Sequence, residues 1–275
     1  MRVNMHTHSV FCDGIDTPRE MTETAIEKGF DILGFSGHGY SPYDDVSMSP
    51  DNTEAYIRTI RTLQQEYRDR ITIYLGIEQD KTCRIPSKEP YDFVIGSVHF
   101  LSYDDKYCAI DMSKEVFYGM LEEFYSGDRI AMARDYYREV AAQAEFEEVD
   151  IIGHLDLLMK YNEDESFLRF DDPAYVRLAE ECIYTIGTKK IFEVNTGAIA
   201  RGTRKTPYPA KNLLEIMHSA GVKLMLNSDC HNRKYLDCAF EQSLKLIRSC
   251  GFDSLYILKD GAFTPVDIDR FHLIR

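Results

Sequence analysis

Short apolar runs alternate with amphipathic stretches along this chain. Residues 2–5, 31–36, 71–77, 91–98, 150–153, 190–194 and 222–227 are rich in β-branched and other apolar side chains and read as strands. Between them, residues 17–28, 51–68, 172–186, 209–220 and 240–250 carry apolar positions at helical spacing. Local signals mark the ends of these elements. Thr17-Pro18-Arg19-Glu20 combines an N-cap, a proline at the first helical position and a glutamate placed to complete a capping box, and Gly29 stops that helix. Residues 40–49 form a polar loop. Residues 113–147 read as helices rich in Glu, Ala and Tyr, broken near Gly127-Asp128. Residues 254–258 read as a short extra strand, followed by a tail.

Strands that alternate with helices argue for a parallel sheet. The runs 71–77 and 222–226 lack a clean in–out alternation, as expected when both faces of the sheet are covered. Seven such strands within 275 residues favour a closed or nearly closed barrel over an open sheet. The expected architecture is α/β, one domain over residues 1–275, with a helical insertion at 113–147 that walls the pocket. No repeat, low-complexity tract or Pro/Gly/Ser linker interrupts it.

Composition narrows the partners. Lys and Arg total 32 against 46 Asp and Glu, a formal charge of −14, which disfavours nonspecific binding to nucleic acid or an anionic membrane unless a basic patch or bound metals reverse the local field. No apolar run approaches a membrane span, and the first residues lack the apolar core of a signal peptide. The seven cysteines are scattered, without a Cys-x-x-Cys pair, and read as reduced thiols in a cytoplasmic protein. Cys12 and Cys230 stand beside candidate ligands but read as packing residues. The oligomeric state is not fixed by the sequence, and a homodimer stays open.

The chemistry is concentrated where strands end. His6 and His8, then His38, Glu78, His99, His154, and Asp229 with His231 stand at the C-terminal ends of predicted strands. In a parallel β/α barrel these ends open on one face, where the active site is built. Six of the eight histidines lie there, and His218 and His272 do not. Imidazoles and carboxylates suit Zn²⁺, Mn²⁺ or Fe²⁺. With Asp13 the set is too large for one ion, since a catalytic zinc takes about three protein ligands and a water. Two or three ions are expected, with a carboxylate such as Glu78 bridging. A multinuclear site of this kind activates water against a phosphate ester.

The segments His6-Thr7-His8-Ser9, Gly37-His38, Gly76-Ile77-Glu78, Gly96-Ser97-Val98-His99, Gly153-His154-Leu155-Asp156 and Ser228-Asp229-Cys230-His231 resemble the motifs of the PHP (polymerase and histidinol phosphatase) superfamily. Phe35-Ser36-Gly37-His38 and Glu193-Val194-Asn195-Thr196-Gly197 are similar to its monofunctional histidinol-phosphate phosphatases. The resemblance spans residues 1 to about 250 and implies a distorted (β/α)7 barrel that hydrolyses L-histidinol phosphate to L-histidinol in histidine biosynthesis. It further implies one ion held by His6, His8, Glu78 and Asp229, a second by Glu78, His99 and His154, and a third by Asp13, His38 and His231. Cys230 stands where alanine is more usual, and Gly39 after His38 is also less usual. The resemblance gives Arg201, and at a second position Lys160, as phosphate contacts, whereas Arg204 and Lys205 read as solvated loop charges. Asn195 reads as a substrate contact or as support beneath the ligands, and Glu193 has no counterpart among the ligands.

The reaction expected is metal-assisted hydrolysis of a small phosphomonoester, with Glu78 bridging and with Asp229 or His231 supplying the proton to the leaving group. A phosphoesterase acting on another small ester or on a nucleic-acid 3′ end is the enzymatic alternative. A metal-binding regulatory or storage protein is the non-enzymatic one; converging carboxylates that repel when metal is absent are costly without a reaction.

Overall fold

The computed structural model of the chain describes residues 1–82, 84–103 and 106–271; Cys83 and His272 lie outside them. Seven parallel strands form the central sheet: β1 (Val3–Asn4), β2 (Ile32–Phe35), β3 (Thr72–Asp80), β4 (Phe93–Ser97), β7 (Ile151–Ile152), β8 (Ile191–Asn195) and β9 (Lys223–Asn227), hydrogen-bonded in that order. The outer helices are α1 (Pro18–Glu27), α2 (Pro50–Glu66), α5 (Pro173–Ile186), α7 (Lys211–Ser219) and α8 (Phe240–Ser249), and α6 (Gly197–Ala200) is a single turn directly after β8. Thr17 and Glu20 form the expected capping box at α1.

The barrel nearly closes between β9 and β1. Side chains bridge the lower part of this seam: Asn227 Oδ1 accepts from the Met5 N–H at 2.8 Å, and Asn4 Nδ2 donates to Ser228 Oγ at 2.6 Å. Higher up, backbone takes over, with His8 N–H donating to the Cys230 carbonyl at 2.9 Å and Cys230 N–H to the His6 carbonyl at 3.2 Å. The upper closure therefore joins the two segments that carry His6, His8, Asp229 and His231.

Side-chain alternation then layers the barrel. Val3, Met5, Phe93, Ile95, Ile151, Ile191 and Met225 fill its interior. Gly76 makes room for the largest of them, since a Cβ there would stand 2.2 Å from Phe93 Cζ and clash with the end of its ring. Ile257 and Leu258 close the same core from below. They belong to β10 (Ser254–Lys259), which pairs antiparallel with β11 (Ala262–Asp267). The segment expected to be a tail is thus half of a hairpin. Its turn is Asp260-Gly261, both at positive φ (50° and 77°), a combination that matches the right-handed twist of a hairpin.

The insertion contains α3 (Lys114–Tyr125) and α4 (Arg129–Ala142), broken at Ser126-Gly127 as expected. It does not wall the pocket. Helix α4 packs on α5, with the Tyr137 hydroxyl donating to that of Tyr175 at 2.9 Å. The wall is a second unpredicted hairpin, β5 (Phe100–Tyr103) and β6 (Lys106–Ala109), together with Asp111 and Met112. Among the described residues no helix is long and apolar enough to cross a membrane.

The Gly76–Phe93 contact sets a stability test. Gly76→Ala overpacks the interior and is expected to destabilise the fold by about 1–3 kcal/mol. A thermal melt should show a lowered Tm, with part of the loss recovered when Phe93→Leu is added. An unchanged Tm in the single variant would show that the interior is loosely filled at this layer.

Candidate metal centre

Glu78 is the hub of the site. It lies within β3 rather than beyond its end, on the same face of the strand as Gly76 and Asp80. Its side chain is 1% exposed. Oε2 faces His6 Nε2 at 3.2 Å, His8 Nε2 at 3.5 Å and His38 Nδ1 at 3.1 Å. Oε1 faces His154 Nε2 at 3.1 Å and His99 Nε2 at 3.5 Å, and accepts from Ser97 Oγ at 2.6 Å.

Three overlapping groups of donor atoms surround it: His6, His8 and Asp229; His38, Glu78 and His99; and His8, Asp13, His38 and His231. Within the first, Asp229 Oδ1 stands 3.7 Å from His6 Nε2 and 3.3 Å from His8 Nε2. Glu78 Oε2 adds its separations of 3.2 and 3.5 Å from the same two imidazoles, and since ligands of one zinc stand about 3.4 Å apart when metal–ligand bonds are about 2.1 Å, these donors are close enough to share an ion. His6 Nε2, His8 Nε2, Glu78 Oε2 and Asp13 Oδ1 are all buried without a hydrogen-bond partner. Such atoms are costly unless a cation satisfies them, and imidazole with carboxylate is a donor set that fits one.

The third group centres on Asp13, whose Oδ2 lies 2.9 Å from His231 Nε2 and whose Oδ1 lies 3.4 Å from His8 Nδ1 and 3.7 Å from His38 Nε2. His38 touches both carboxylates, so it stands between the second and third sets rather than in the third alone.

The electrostatics are those of charges forced together. Burial would raise the Glu78 carboxyl, but the imidazoles of His6, His99 and His38 bring it well below the usual carboxylate range. Asp229 is likewise lowered, against burial, by Arg201 and His6. Burial opposes protonation of His99, yet Glu78 and Asp80 raise it to about 10. His38 goes the other way, to about 3, through burial and the charge of His8. Not all imidazoles around one carboxylate can be cationic at once, whereas a divalent ion neutralises the carboxylates without that conflict.

Two positioning residues escape a reading that looks only at strand ends. Glu193 Oε1 sits 2.7 Å from His6 Nδ1 and accepts from Asn227 Nδ2 at 2.9 Å; Oε2 accepts from the His154 N–H at 2.9 Å and from Asn195 Nδ2 at 2.8 Å. It thereby orients one candidate ligand and holds the backbone of another. Strand alternation carries the signal: Ile191 fills the barrel interior, so Glu193 and Asn195 face inward above it. Asp80 does the same for His99, accepting its N–H at 2.7 Å and facing its Nδ1 at 3.4 Å.

The remaining predicted residues separate. Arg201 and Lys160 line a cleft of about 330 Å³ above the ligands. Arg201 donates to Asp229 Oδ2 at 2.9 Å and has its other terminal nitrogen 3.2 Å from His231 Nδ1. Gly197 permits this, because a Cβ there would stand 2.7 Å from the guanidinium and 2.8 Å from Asp229 Oδ2. Lys160 donates to the Asp111 carbonyl at 2.7 Å. Asn195 is buried beneath the floor, holding Glu193 and the Gly197 N–H, and does not line the cleft. Arg204 is not a solvated charge: it is buried against Asp156, 3.4 Å away, with its guanidinium over the Tyr208 ring. Lys205 is exposed, as expected.

Residues 4–197 match the PHP domain model. The chain belongs to the PHP domain family. Beyond the matched stretch, β9 belongs to the same sheet, and Asp229 and His231 belong to the donor groups described above. The chain is 30% identical to a probable histidinol-phosphatase of Deinococcus radiodurans, over 90% of this chain and 92% of that one. It is 26% identical to the histidinol-phosphatase of Bacillus subtilis, over 87% of this chain and 97% of that one. Among solved structures it resembles histidinol phosphate phosphatase from Lactococcus lactis complexed with zinc, L-histidinol and phosphate, with a TM-score of 0.73 at 23% identity, covering 96% of this chain and 98% of that one.

Glu193 gives the test of the support beneath the site. Glu193→Gln keeps its size but removes the charge that orients His6, and metal affinity is expected to fall about 10- to 100-fold. Elemental analysis after dialysis against graded chelator measures it, with far-UV circular dichroism confirming the fold. Unaltered retention of metal would assign Glu193 to folding alone.

Proposed function

We propose that this PHP protein is a metal-dependent phosphomonoesterase that hydrolyses L-histidinol phosphate to L-histidinol and phosphate in histidine biosynthesis. The observation that carries the reading is the convergence of nine His, Asp and Glu side chains, seven of them lining one cleft and His6 and His8 buried beneath it, with Arg201 and Lys160 above them. Relatives with the matching name extend over nearly the whole chain. We read residues 1–275 as one functional unit, since strands before and after residue 197 share one sheet.

Two or three divalent ions of the zinc, manganese or iron type would supply Lewis acidity and an activated water for attack on phosphorus. We assign the first ion to His6, His8, Glu78 and Asp229, with Glu78 shared toward His99 and His154, and with Asp13, His38 and His231 forming the third set. Around that centre the chain positions the ester. Arg201 presents a planar donor pair to phosphate oxygens and Lys160 a point charge. Asp229, held ionised by Arg201 and the imidazoles, has no proton to give. We therefore assign proton delivery to His231, which is more exposed and lies at the cleft wall, in the two-ion form of the site, where Asp13, His38 and His231 hold no ion. The reading needs no nucleic-acid partner and no membrane, and it places the enzyme in the cytoplasm; the described cysteines are all free thiols.

A substrate panel tests the reaction. Metal-loaded protein is expected to hydrolyse L-histidinol phosphate with a higher kcat/KM than p-nitrophenyl phosphate and to leave a single-stranded oligonucleotide intact. Elemental analysis of the active protein should give more than one divalent ion per chain, and exhaustive chelation should abolish turnover. Preference for the oligonucleotide, or activity with one ion or fewer, would reject the proposal.

Arg201 separates phosphate binding from metal binding. A charge-assisted contact is worth roughly 1.5–3 kcal/mol, so Arg201→Met should lower kcat/KM about 10- to 150-fold while metal content is retained. A rise in KM alone would mean equal grip in ground and transition states, and a fall in kcat would mean grip on the developing charge. Unchanged kinetics would move the phosphate anchor to Lys160.

A further inference from the structure

The cleft has an outer half that the phosphate chemistry does not use. Val46, Phe100, Met112 and Leu157 make it apolar, and two carboxylates, Asp44 and Asp111, interrupt that surface. Every other carboxylate of the cleft faces a cation or an imidazole: Asp13 faces His231, Glu78 its ring of imidazoles, Asp229 faces Arg201, and Asp111 faces Lys160 at 3.2 Å. Asp44 has no ion-pair partner among the described residues. Among these residues its side chain accepts only the Val46 N–H, at 3.1 Å.

The loop that carries Asp44 is held over the cleft at several points. Ser47 Oγ donates to the Ser41 and Asp44 carbonyls, and Met48 N–H donates to the carbonyl of His38. Tyr43 stacks on Tyr107 of β6 with ring centroids 4.0 Å apart, which joins the loop to the hairpin across the cleft mouth. Burial raises the Asp44 carboxyl, against the Val46 N–H and His99, and the like charges of Asp111 and Asp13 raise it further. A cation seated beside Asp44 would relieve that repulsion.

A small phosphomonoester that also carries an ammonium and a flat ring matches this division of the cleft. Its phosphate meets the inner charges and its ring the apolar wall, leaving the ammonium for Asp44, the cleft carboxylate without an ion-pair partner among the described residues. The geometry points to Asp44 as a specificity-determining residue that recognises the ammonium of an amino-bearing phosphomonoester, here L-histidinol phosphate. This inference rests on the phosphomonoesterase reading above.

The test compares L-histidinol phosphate with imidazolylpropyl phosphate, the same skeleton without the amine, in metal-loaded wild type and Asp44→Asn. Wild type is expected to favour the amine ester. In Asp44→Asn the ratio of the two kcat/KM values should fall about 10- to 100-fold, chiefly through KM for the amine ester, and Asp44→Glu should restore part of it. A ratio unchanged in Asp44→Asn, whether both esters slow together or neither does, overturns the assignment. Wild type that prefers the amine-free ester also overturns it and leaves the phosphatase reading standing. Hydrolysis of no phosphomonoester overturns both.

Discussion

One carboxylate sets the terms for this fold. Glu78 is buried among five imidazoles, and an ion of that kind inside a protein is costly unless opposite charge surrounds it. Four elements of the barrel converge to supply that charge, since the segments after β1, β2, β4 and β7 bring the imidazoles, while the turn after β9 adds a second carboxylate, Asp229, to the same cluster. No local stretch of sequence could hold such a group. It depends on a closed sheet whose strand ends meet at one place, and the seam between β1 and β9 closes directly under the ligands. The fold and the site are in this sense one constraint, and the cation that the donor set suits completes it.

The layering of the barrel follows from the same alternation that builds each strand. In β8, Ile191 belongs to the apolar interior, Glu193 to the support beneath the ligands and Asn195 to the turn that carries Gly197. In β3, Gly76 yields space to Phe93, Glu78 receives the imidazoles and Asp80 holds His99. Each step of two residues moves from packing to chemistry. The polar layer tolerates burial because its members satisfy one another: Glu193 alone accepts from three side chains or backbone groups besides facing His6. The hairpin of β10 and β11 covers the opposite end, so the ionic layer rests on an apolar floor.

Much of this was legible in the chain because strand ends announce themselves. His6, His8, His38, His99, His154, Asp229 and His231 all follow apolar runs, and the structure gathers every one of them. Glu193 and Asp80 were not legible in that way, since they stand within strands, where an acid reads as an anomaly until the inward face is known. The β10–β11 turn carried a signal that strand patterning alone did not use, Asp260-Gly261 between alternating residues. The insertion was read correctly as two helices, but helical periodicity says which face is apolar and not which neighbour covers it. Its apolar face went to α5 and the outer core, and the pocket wall fell to a short hairpin. Arg204 illustrates the same limit: a loop arginine looks solvated until tertiary structure sets Asp156 and Tyr208 against it.

The turn after β8 and the turn after β9 show how Arg201 is coupled to the layer of candidate metal ligands. Asp229 adopts a positive φ of 49°, uncommon for a side-chain-bearing residue, and such backbone persists only where its surroundings fix it. Two contacts do so. Cys230, next in the chain, is hydrogen-bonded to the segment between His6 and His8, and Arg201 grips the Asp229 carboxylate from above. One oxygen of Asp229 then faces the imidazoles while the other faces the guanidinium. Any phosphate that draws Arg201 toward itself competes with Asp229 for the same donors, so anion binding and the charge felt by the inner ligands are linked through a single carboxylate. Gly197 is what brings the two sides close enough for that linkage, since any side chain there would hold the guanidinium and Asp229 apart.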